Sequence, residues 1–441
     1  MTGVGETSVQ AAPAPAPAGP GSLWRHRNFM LLWGGQSVSL VGSAVSTLAL
    51  PLVALTVLKS STFQIGALTA ASGLPAVLFG LPAGAFVDRW RKRRLMIWCD
   101  LARALALGSV PVAAVAGRLT LAQLYAVAFV TGALAVFFDA AYQSYLPRLV
   151  TRQQLMQGNG KLSSSDGIAL LVGPSLGGFL VGLVGAAKAV TADALSYLVS
   201  ALSLALIREP EPERRPERRR PVRTIPAEVG QGLRYLMGDR LIRPVVLSNA
   251  TGSFFLAALN ALWMVYAVRN LDWSAHALGL VLGLGSLGGI LGGFIAGPLT
   301  ERFGVPRVML AARLALAPGE LVIPLAPRGL PGQAAVAAGF ALVLVAGIMF
   351  NSTQRTFRQL VCPPALLGRL NASTRWLQWC LRLLGALGGG ALATACGLRL
   401  TLFVASVGLF LTAVSLFVLT PLRRMRDLSG LEPGPETEAA R

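Results

Sequence analysis

Two histidines and four cysteines are all that 441 residues offer a soft metal. His26 and His276 are far apart, and Cys99, Cys362, Cys380 and Cys396 lack metal-ligand spacing. Neither a metal site nor a disulfide is expected. A phosphate-binding loop is missing too. It would need Gly-x4-Gly-Lys followed by Ser or Thr, but Gly160-Lys161 is followed by Leu162, and Leu155 stands where the first glycine belongs. The pattern supports no cofactor, and nothing in it suggests an enzyme. Residues 1–22 are rich in Ala, Pro and Gly and carry no cation. They form no cleavable signal peptide, which needs a basic start and an apolar stretch, and read as a disordered tail. Charge is scarce: 13% of residues, with 54% hydrophobic and a mean hydropathy of +0.61. A soluble domain carries about 25% charge. So apolar a chain has no surface to show to water, and lipid is its expected solvent.

Apolar runs of about 20 residues span a bilayer as helices. Twelve are read, at roughly 32–55, 65–87, 95–116, 120–143, 164–185, 187–207, 244–268, 277–299, 306–326, 333–353, 374–396 and 399–420. Spans 5 and 6 meet at Gly185 almost without a loop, and Glu320 interrupts span 9. The net charge of +20 invites a nucleic-acid partner, but its distribution argues against one. Alternate loops hold single cations: Lys59, Arg118, Lys188, Arg269, Arg328 and Arg399. The other 33 of the 39 Lys and Arg are assigned to the opposite loops and the tails. Cytoplasmic loops retain Lys and Arg, so that set, with both termini, is read as cytoplasmic in a bacterial inner membrane. The charge then serves topology and lipid contact.

The chain repeats itself. Gly80-Leu-Pro-Ala-Gly84-Ala-Phe-Val-Asp88-Arg89-Trp90 returns as Gly293-Phe-Ile-Ala-Gly297-Pro-Leu-Thr-Glu301-Arg302-Phe303, offset by 213. Leu149-Val150, Leu155-Met156 and Asn159 return as Leu360-Val361, Leu366-Leu367 and Asn371. The expected organisation is a tail at 1–22, a six-helix bundle at 23–207, a linker at 208–243, a second bundle at 244–422 and a tail at 423–441. Residues 227–243 read as an amphipathic helix on the membrane surface or as a plain tether.

These motifs resemble a known family. Gly84, Asp88, Arg89, Arg93 and Arg94 resemble the hallmark loop of the major facilitator superfamily, and Gly173-Pro174-Ser175-Leu176-Gly177-Gly178 resembles its antiporter motif. Asp100-Leu101-Ala102-Arg103, Pro147-Arg148-Leu149-Val150 and Gly368-Arg369-Leu370-Asn371-Ala372 look like its enterobactin-exporter and macrolide-efflux branch. The resemblance covers about residues 24–422. It departs at Arg91, where the family's loop has a glycine, while the second copy keeps Gly304 but has Pro306 opposite Arg93. The resemblance implies an all-α membrane protein with twelve helices in two pseudo-symmetric bundles. It also implies that Asp88 meets the positive end of helix 11, near Asn371–Thr374, when the protein opens outward. A carboxylate there is worth about 0.3–1 kcal/mol, up to about 2 when partly buried. Glu301 and Arg302 are its counterparts in the second copy. The alternative reading of both loops is a topology anchor made of cations.

Glycines form a second pattern. Gly285, Gly289, Gly293 and Gly297 recur every four residues, as do Gly173 and Gly177, and Gly385 and Gly389. In the resembled fold, helix 5 faces helix 8 and helix 2 faces helix 11. Gly173, Pro174, Gly177, Gly178, Gly289 and Gly293 are therefore read as rails between bundles, with static packing as the alternative.

Ionisable groups inside spans are costly and are usually paired or functional. Asp100 and Arg103 share a helical face and, with Asp139, form a candidate coupling network. Asp166 reads as a cap of span 5, and Asp193 and Glu320 as structural. Gln36, Tyr142, Asn249, Asn260, Trp263 and Asn351 are candidate cavity groups, or else interhelical hydrogen bonds. An apolar cavity with a few amides and aromatics suits an amphiphilic solute. The expected function is proton-coupled export of an amphiphilic drug, siderophore or secondary metabolite by a monomer in contact with lipid, with no nucleic-acid partner. An importer or facilitator of a small solute, and a non-transporting receptor or lipid scramblase, are the alternatives.

Overall fold

The computed structural model describes residues 23–87, 89–208, 230, 234, 236–239, 241–362 and 364–420. Asp88, most of the linker with the expected surface helix, and both tails lie outside them. Twelve long helices are described: α1 Arg27–Leu52, α2 Thr62–Phe79, α3 Lys92–Val115, α4 Leu121–Leu149, α5 Arg152–Val184, α6 Ala186–Ala205, α7 Ile242–Asn270, α8 Ala275–Phe303, α9 Val305–Leu325, α10 Leu330–Val361, α11 Pro364–Cys396 and α12 Leu398–Leu419. Eleven are long and apolar enough to cross a membrane. The twelfth, α6, carries Lys188 and Asp193 and packs between α1 and α3.

Local chemistry sets the helix starts. Gln64 N–H donates to Ser61 Oγ at 3.3 Å and Ser61 N–H to Gln64 Oε1 at 2.7 Å, a reciprocal cap that satisfies two orphan donors. Thr120 and Ser274 cap α4 and α8 in the simpler way. Three helix pairs are joined by one glycine each. Gly185, Gly304 and Gly397 have φ of 85°, 83° and 86°, a region closed to most L side chains. At Arg91, the counterpart of Gly304, φ is −66°, and a short helix at Ala83–Val87 lies between α2 and α3.

The packing map shows the duplication in three dimensions. α1 packs on α5 and α6, α3 on α4 and α6, and α2 on α4. Adding six to each number gives the second bundle: α7 on α11 and α12, α9 on α10 and α12, α8 on α10. The bundles meet through α5–α8 and α2–α11, and these two seams also exchange under the same operation. Several helices run past their expected spans. α5 begins at Arg152, so Asp166 lies well inside a helix and not at its start. α11 begins at Pro364, so Asn371–Thr374 are already two turns in, and α9 continues unbroken through Glu320.

Candidate transport site

Helices alternate in direction, so the arginine-rich loops gather at one end and the single-cation loops at the other. The seams differ between these ends. Near the single-cation end, a Cβ built on Gly178 would lie 2.5 Å from Gly279 Cα, and one on Gly66 would lie 2.7 Å from Ala386 O. Ser175 Oγ donates to Gly279 O at 3.2 Å. Arg269 reaches across to Ser60 O at 2.6 Å and Thr62 Oγ1 at 3.4 Å. On the α2–α11 side the contact continues to Trp376 Nε1, which donates to Val77 O at 3.2 Å. The α5–α8 side parts company earlier. At about 100° per residue, Gly160, Gly167 and Gly178 share one face of α5, and Gly279, Gly283, Gly293 and Gly297 share one face of α8. Among the described residues, Gly160, Gly167, Gly293 and Gly297 have no neighbour within 4 Å of a Cβ position. The α5–α8 seam is closed in one half and open toward the arginine-rich end.

The close approach between bundles therefore falls on Gly178, Gly279 and Gly283, with Pro174 O 3.0 Å from a Cβ on Gly279. Gly173 and Gly177 pack on α1 of their own bundle, against Ala44 and Val45, and Gly289 meets Ile348 of α10. A Cβ on Gly293 would meet no other helix among the described residues, while Gly285, Gly288 and Gly292 press on α10. The smooth face of α8 serves its own bundle more than the seam.

In the first repeated loop, Arg93 donates through Nε to Leu204 O at 2.7 Å and through Nη2 to Ala205 O at 2.5 Å. It caps the end of α6, where a cation meets unpaired carbonyls. Arg89 lies over the Phe86 ring at 5.8 Å; Gly84 and Arg94 are exposed. In the second loop Glu301 and Arg302 are exposed, and Arg302 lies over Phe303 at 5.3 Å.

Inside the first bundle, Asp100 and Arg103 form the buried ion pair that their spacing predicts. The guanidinium is sandwiched between Phe138, at 4.5 Å, and Tyr197, at 4.3 Å. Ser43 joins Tyr197 Oη at 2.8 Å and donates to Asp193 Oδ1 at 3.4 Å. Asp139, on α4, lies within electrostatic range of Arg103 and is exposed. Asp193 thus belongs to the charged cluster that the sequence assigns to Asp100, Arg103 and Asp139.

The second bundle holds what the sequence reading missed. Arg313 on α9 is buried, with Nη2 donating to Ser248 O at 2.7 Å and Thr412 Oγ1 at 3.0 Å. It lies over Phe350 at 5.1 Å, and its Nε has no partner among the described residues. Arg382 sits in the middle of α11, exposed, over the Trp379 ring at 5.3 Å. Both had been counted with the loop cations. Their positions within long apolar stretches were the available signal.

Of the expected cavity groups, Asn260 and Asn351 are exposed on α7 and α10. Tyr142 stacks on Phe138 at 6.1 Å, and Gln36 Oε1 is buried. Asn249 Nδ2 donates to Gln354 Oε1 at 3.1 Å, tying α7 to α10. Trp263 is buried edge-on against Phe340, at 4.9 Å, as part of the core. Among the described residues no group of His, Cys, Asp and Glu could hold a metal ion.

Two six-helix bundles related by a pseudo-two-fold and meeting through α5–α8 and α2–α11 define a membrane transporter of the major facilitator fold. The chain belongs to the family described as transmembrane secretion effectors, whose model matches residues 18–438. It is 27% identical over 397 residues to the multidrug efflux pump Tap of Mycolicibacterium fortuitum, covering 88% of this chain and 93% of that one. It is 23% identical over 269 residues to macrolide efflux protein A of Streptococcus pyogenes, covering 61% and 66%. Solved structures share the fold. A bacterial homologue of the iron transporter ferroportin, in an inward-facing state, superposes with a TM-score of 0.71 at 17% identity, over 90% of this chain and 99% of that one. The nucleoside transporter NupG gives 0.72 at 12% identity, over 89% and 98%.

Proposed function

We propose that this protein exports amphiphilic drugs from the bacterial cytoplasm by alternating access, driven by protons. The half-open seam between α5 and α8 carries this reading: one glycine face is closed at one end and parted at the other, as a rocking pair of bundles requires. The drug assignment draws on the efflux pumps named above. The arginine-rich end is read as cytoplasmic from its cations, so the state described is inward-open, in a monomer bathed by lipid. Transport needs no covalent chemistry. The bundles are taken as 23–207 and 244–422, joined by the linker at 208–243.

Roles follow from position. Gln36, Tyr142, Asn260 and Asn351 offer hydrogen bonds to the solute, while Asn249 and Trp263 set the shape of the wall. Asp100, Arg103, Asp139 and Asp193 put three acids around one buried guanidinium, a ledger that favours holding a proton. Asp88 with Gly84, Arg89, Arg93 and Arg94 forms the latch of the outward-open state, against α11 near Asn371–Thr374. Glu301 and Arg302 brace α8 against α9. Cells expressing the protein are expected to accumulate less of a fluorescent amphiphile than control cells, and the difference to vanish when the proton gradient is collapsed. Equal or greater accumulation would overturn export; insensitivity to the gradient would overturn proton coupling alone.

A further inference from the structure

The first bundle accounts for its buried arginine with acids, but the second leaves an arginine facing the cleft with none. Arg382 is halfway along α11. Its placement on the helix surface can be read from its neighbours. Ala386 and Gly390 abut Gly66 of α2, and Trp379 reaches Gly73 of the same helix, while Gly385 and Gly389 press on Phe254 and Ala258 of α7. Arg382 lies between these two strips. Leu384, about 200° further round, marks the opposite, lipid side and is 55% exposed. The helix thus turns Arg382 into the space enclosed by α2, α7 and α11.

No acid answers it. α11 and the four helices packed on it, α2, α7, α10 and α12, contain no Asp or Glu at all. Arg382 takes part in neither of the described ion pairs, Arg103–Asp100 and Arg328–Asp272. Its described contact is the Trp379 ring, and that ring packs across the seam on α2. Arg355 and Arg358, on the neighbouring α10, add positive charge toward the arginine-rich end. A cation placed in a membrane-spanning helix, aimed at a cleft and lacking a counter-charge, is a binding group awaiting one. A guanidinium offers a planar fork of donors to carboxylate, sulfonate or phosphate, and a tryptophan beside it offers a face for a ring.

We propose that Arg382 and Trp379 form the docking point for an aromatic organic anion, the guanidinium taking its acidic group and the indole its ring. This rests on the transport reading and names the charge of the solute, which the names of the relatives leave open. Because Trp379 also touches α2, an occupant here would lie on the α2–α11 seam and be sensed by both bundles.

Two dyes with one ring system and opposite charge make the test. Fluorescein is anionic and rhodamine 6G cationic, both on a xanthene. Binding would be read by fluorescence anisotropy, using the whole protein in nanodiscs of phosphatidylcholine, whose headgroup has no net charge, with empty nanodiscs as the blank. The wild type is expected to prefer fluorescein. Arg382→Gln should weaken fluorescein binding about tenfold or more, the scale of a lost charge-assisted hydrogen bond, and leave rhodamine unchanged. Arg382→Lys should restore part of the loss. Equal wild-type affinity for the two dyes would overturn the proposal without any variant. So would unchanged fluorescein binding in Arg382→Gln, or an equal loss for both dyes, which marks a structural role. Binding is read without flux. A protein that binds fluorescein yet moves no solute in vesicles would sink export and keep this site; one that exports rhodamine and ignores fluorescein would do the reverse.

Discussion

The two bundles use one scaffold and opposite charge. Each buries an arginine on its third helix, stacked on a phenylalanine of its fourth: Arg103 on Phe138, Arg313 on Phe350. The phenylalanines are 212 residues apart, close to the repeat offset. The arginines are not equivalent, for Arg313 minus 213 is Asp100. In the first bundle that position is the acid and the base follows one turn later. In the second, the base has taken the acid's place and rests on neutral oxygens of Ser248 and Thr412. Duplication kept the slot and let the charge diverge. The first bundle's helices carry four acids within their spans, Asp100, Asp139, Asp166 and Asp193, whereas the mid-span charges of the second include Arg313 and Arg382 beside Glu320.

The sharpest way to break this comparison is to remove both arginines in turn. Arg103→Met leaves Asp100 buried without its partner and should cost about 3–5 kcal/mol. Arg313→Met removes a charge that has no acid to strand. Thr412 Oγ1 still donates to Leu409 O, so the cost should be at most about 1–2 kcal/mol. Thermal unfolding followed with a thiol-reactive dye suits the purpose, because Cys99 and Cys362 are buried free thiols. Equal losses would mean that the acids do not distinguish the bundles.

The seam gives the next contrast. Gly178→Val puts branches where a Cβ already meets Gly279 Cα at 2.5 Å. Overpacking of this kind costs about 1–3 kcal/mol and should cut transport by obstructing closure. Gly293→Val, on the open half of α8, should leave the described state untouched. A transport loss in Gly293→Val would show that this half closes in the opposite state, as alternating access requires; wild-type transport would take Gly293 out of the closing face.

Much of this was legible in the sequence, and the failures have physical causes. Twelve apolar runs gave twelve helices because lipid forces every backbone polar group into a helix. The Asp100–Arg103 pair was readable since i and i+3 share a face. The seam was not, because neighbouring residues point about 100° apart. Gly177 and Gly178 both sit in one motif, yet one packs on α1 and the other crosses to α8. Trp263 looked like a cavity group because its ring has a polar edge, and only its packing on Phe340 places it in the core. Arg313 and Arg382 were lost to charge counting, which assigns each cation to its nearest loop and cannot see depth.

The two copies of the loop can be set against each other at their turn residue. Gly304→Ala forces a side chain into φ 83°, ψ 154°, at about 1–3 kcal/mol. Arg91→Gly, at φ −66°, relieves no strain, so its cost should be confined to lost cation contacts and added chain entropy, at most about 1 kcal/mol. Unfolding midpoints would rank them, and the reverse order would show that the first loop, not the second, holds the tight turn.

The smallest effect expected is also the most informative about the cycle. In the proposed latch, Asp88→Asn removes a charge of a kind whose attraction to a helix N-terminus is worth about 0.3–1 kcal/mol, at most about 2 when partly buried. Such a term cannot unfold a twelve-helix protein, so expression should be unchanged. It can shift a near-balanced pair of states several-fold, since 1.4 kcal/mol is a factor of ten, and transport should fall by that order. Glu301→Gln should do less. Gly304 joins α8 to α9 directly, so the second loop is braced by its own backbone turn. The first copy has Arg91 in place of that glycine and a short helix before it, so the proposed latch role falls to its acid. Wild-type transport in Asp88→Asn together with a loss in Glu301→Gln would move the latch to the second copy, and with it the bundle whose loop closes the arginine-rich end.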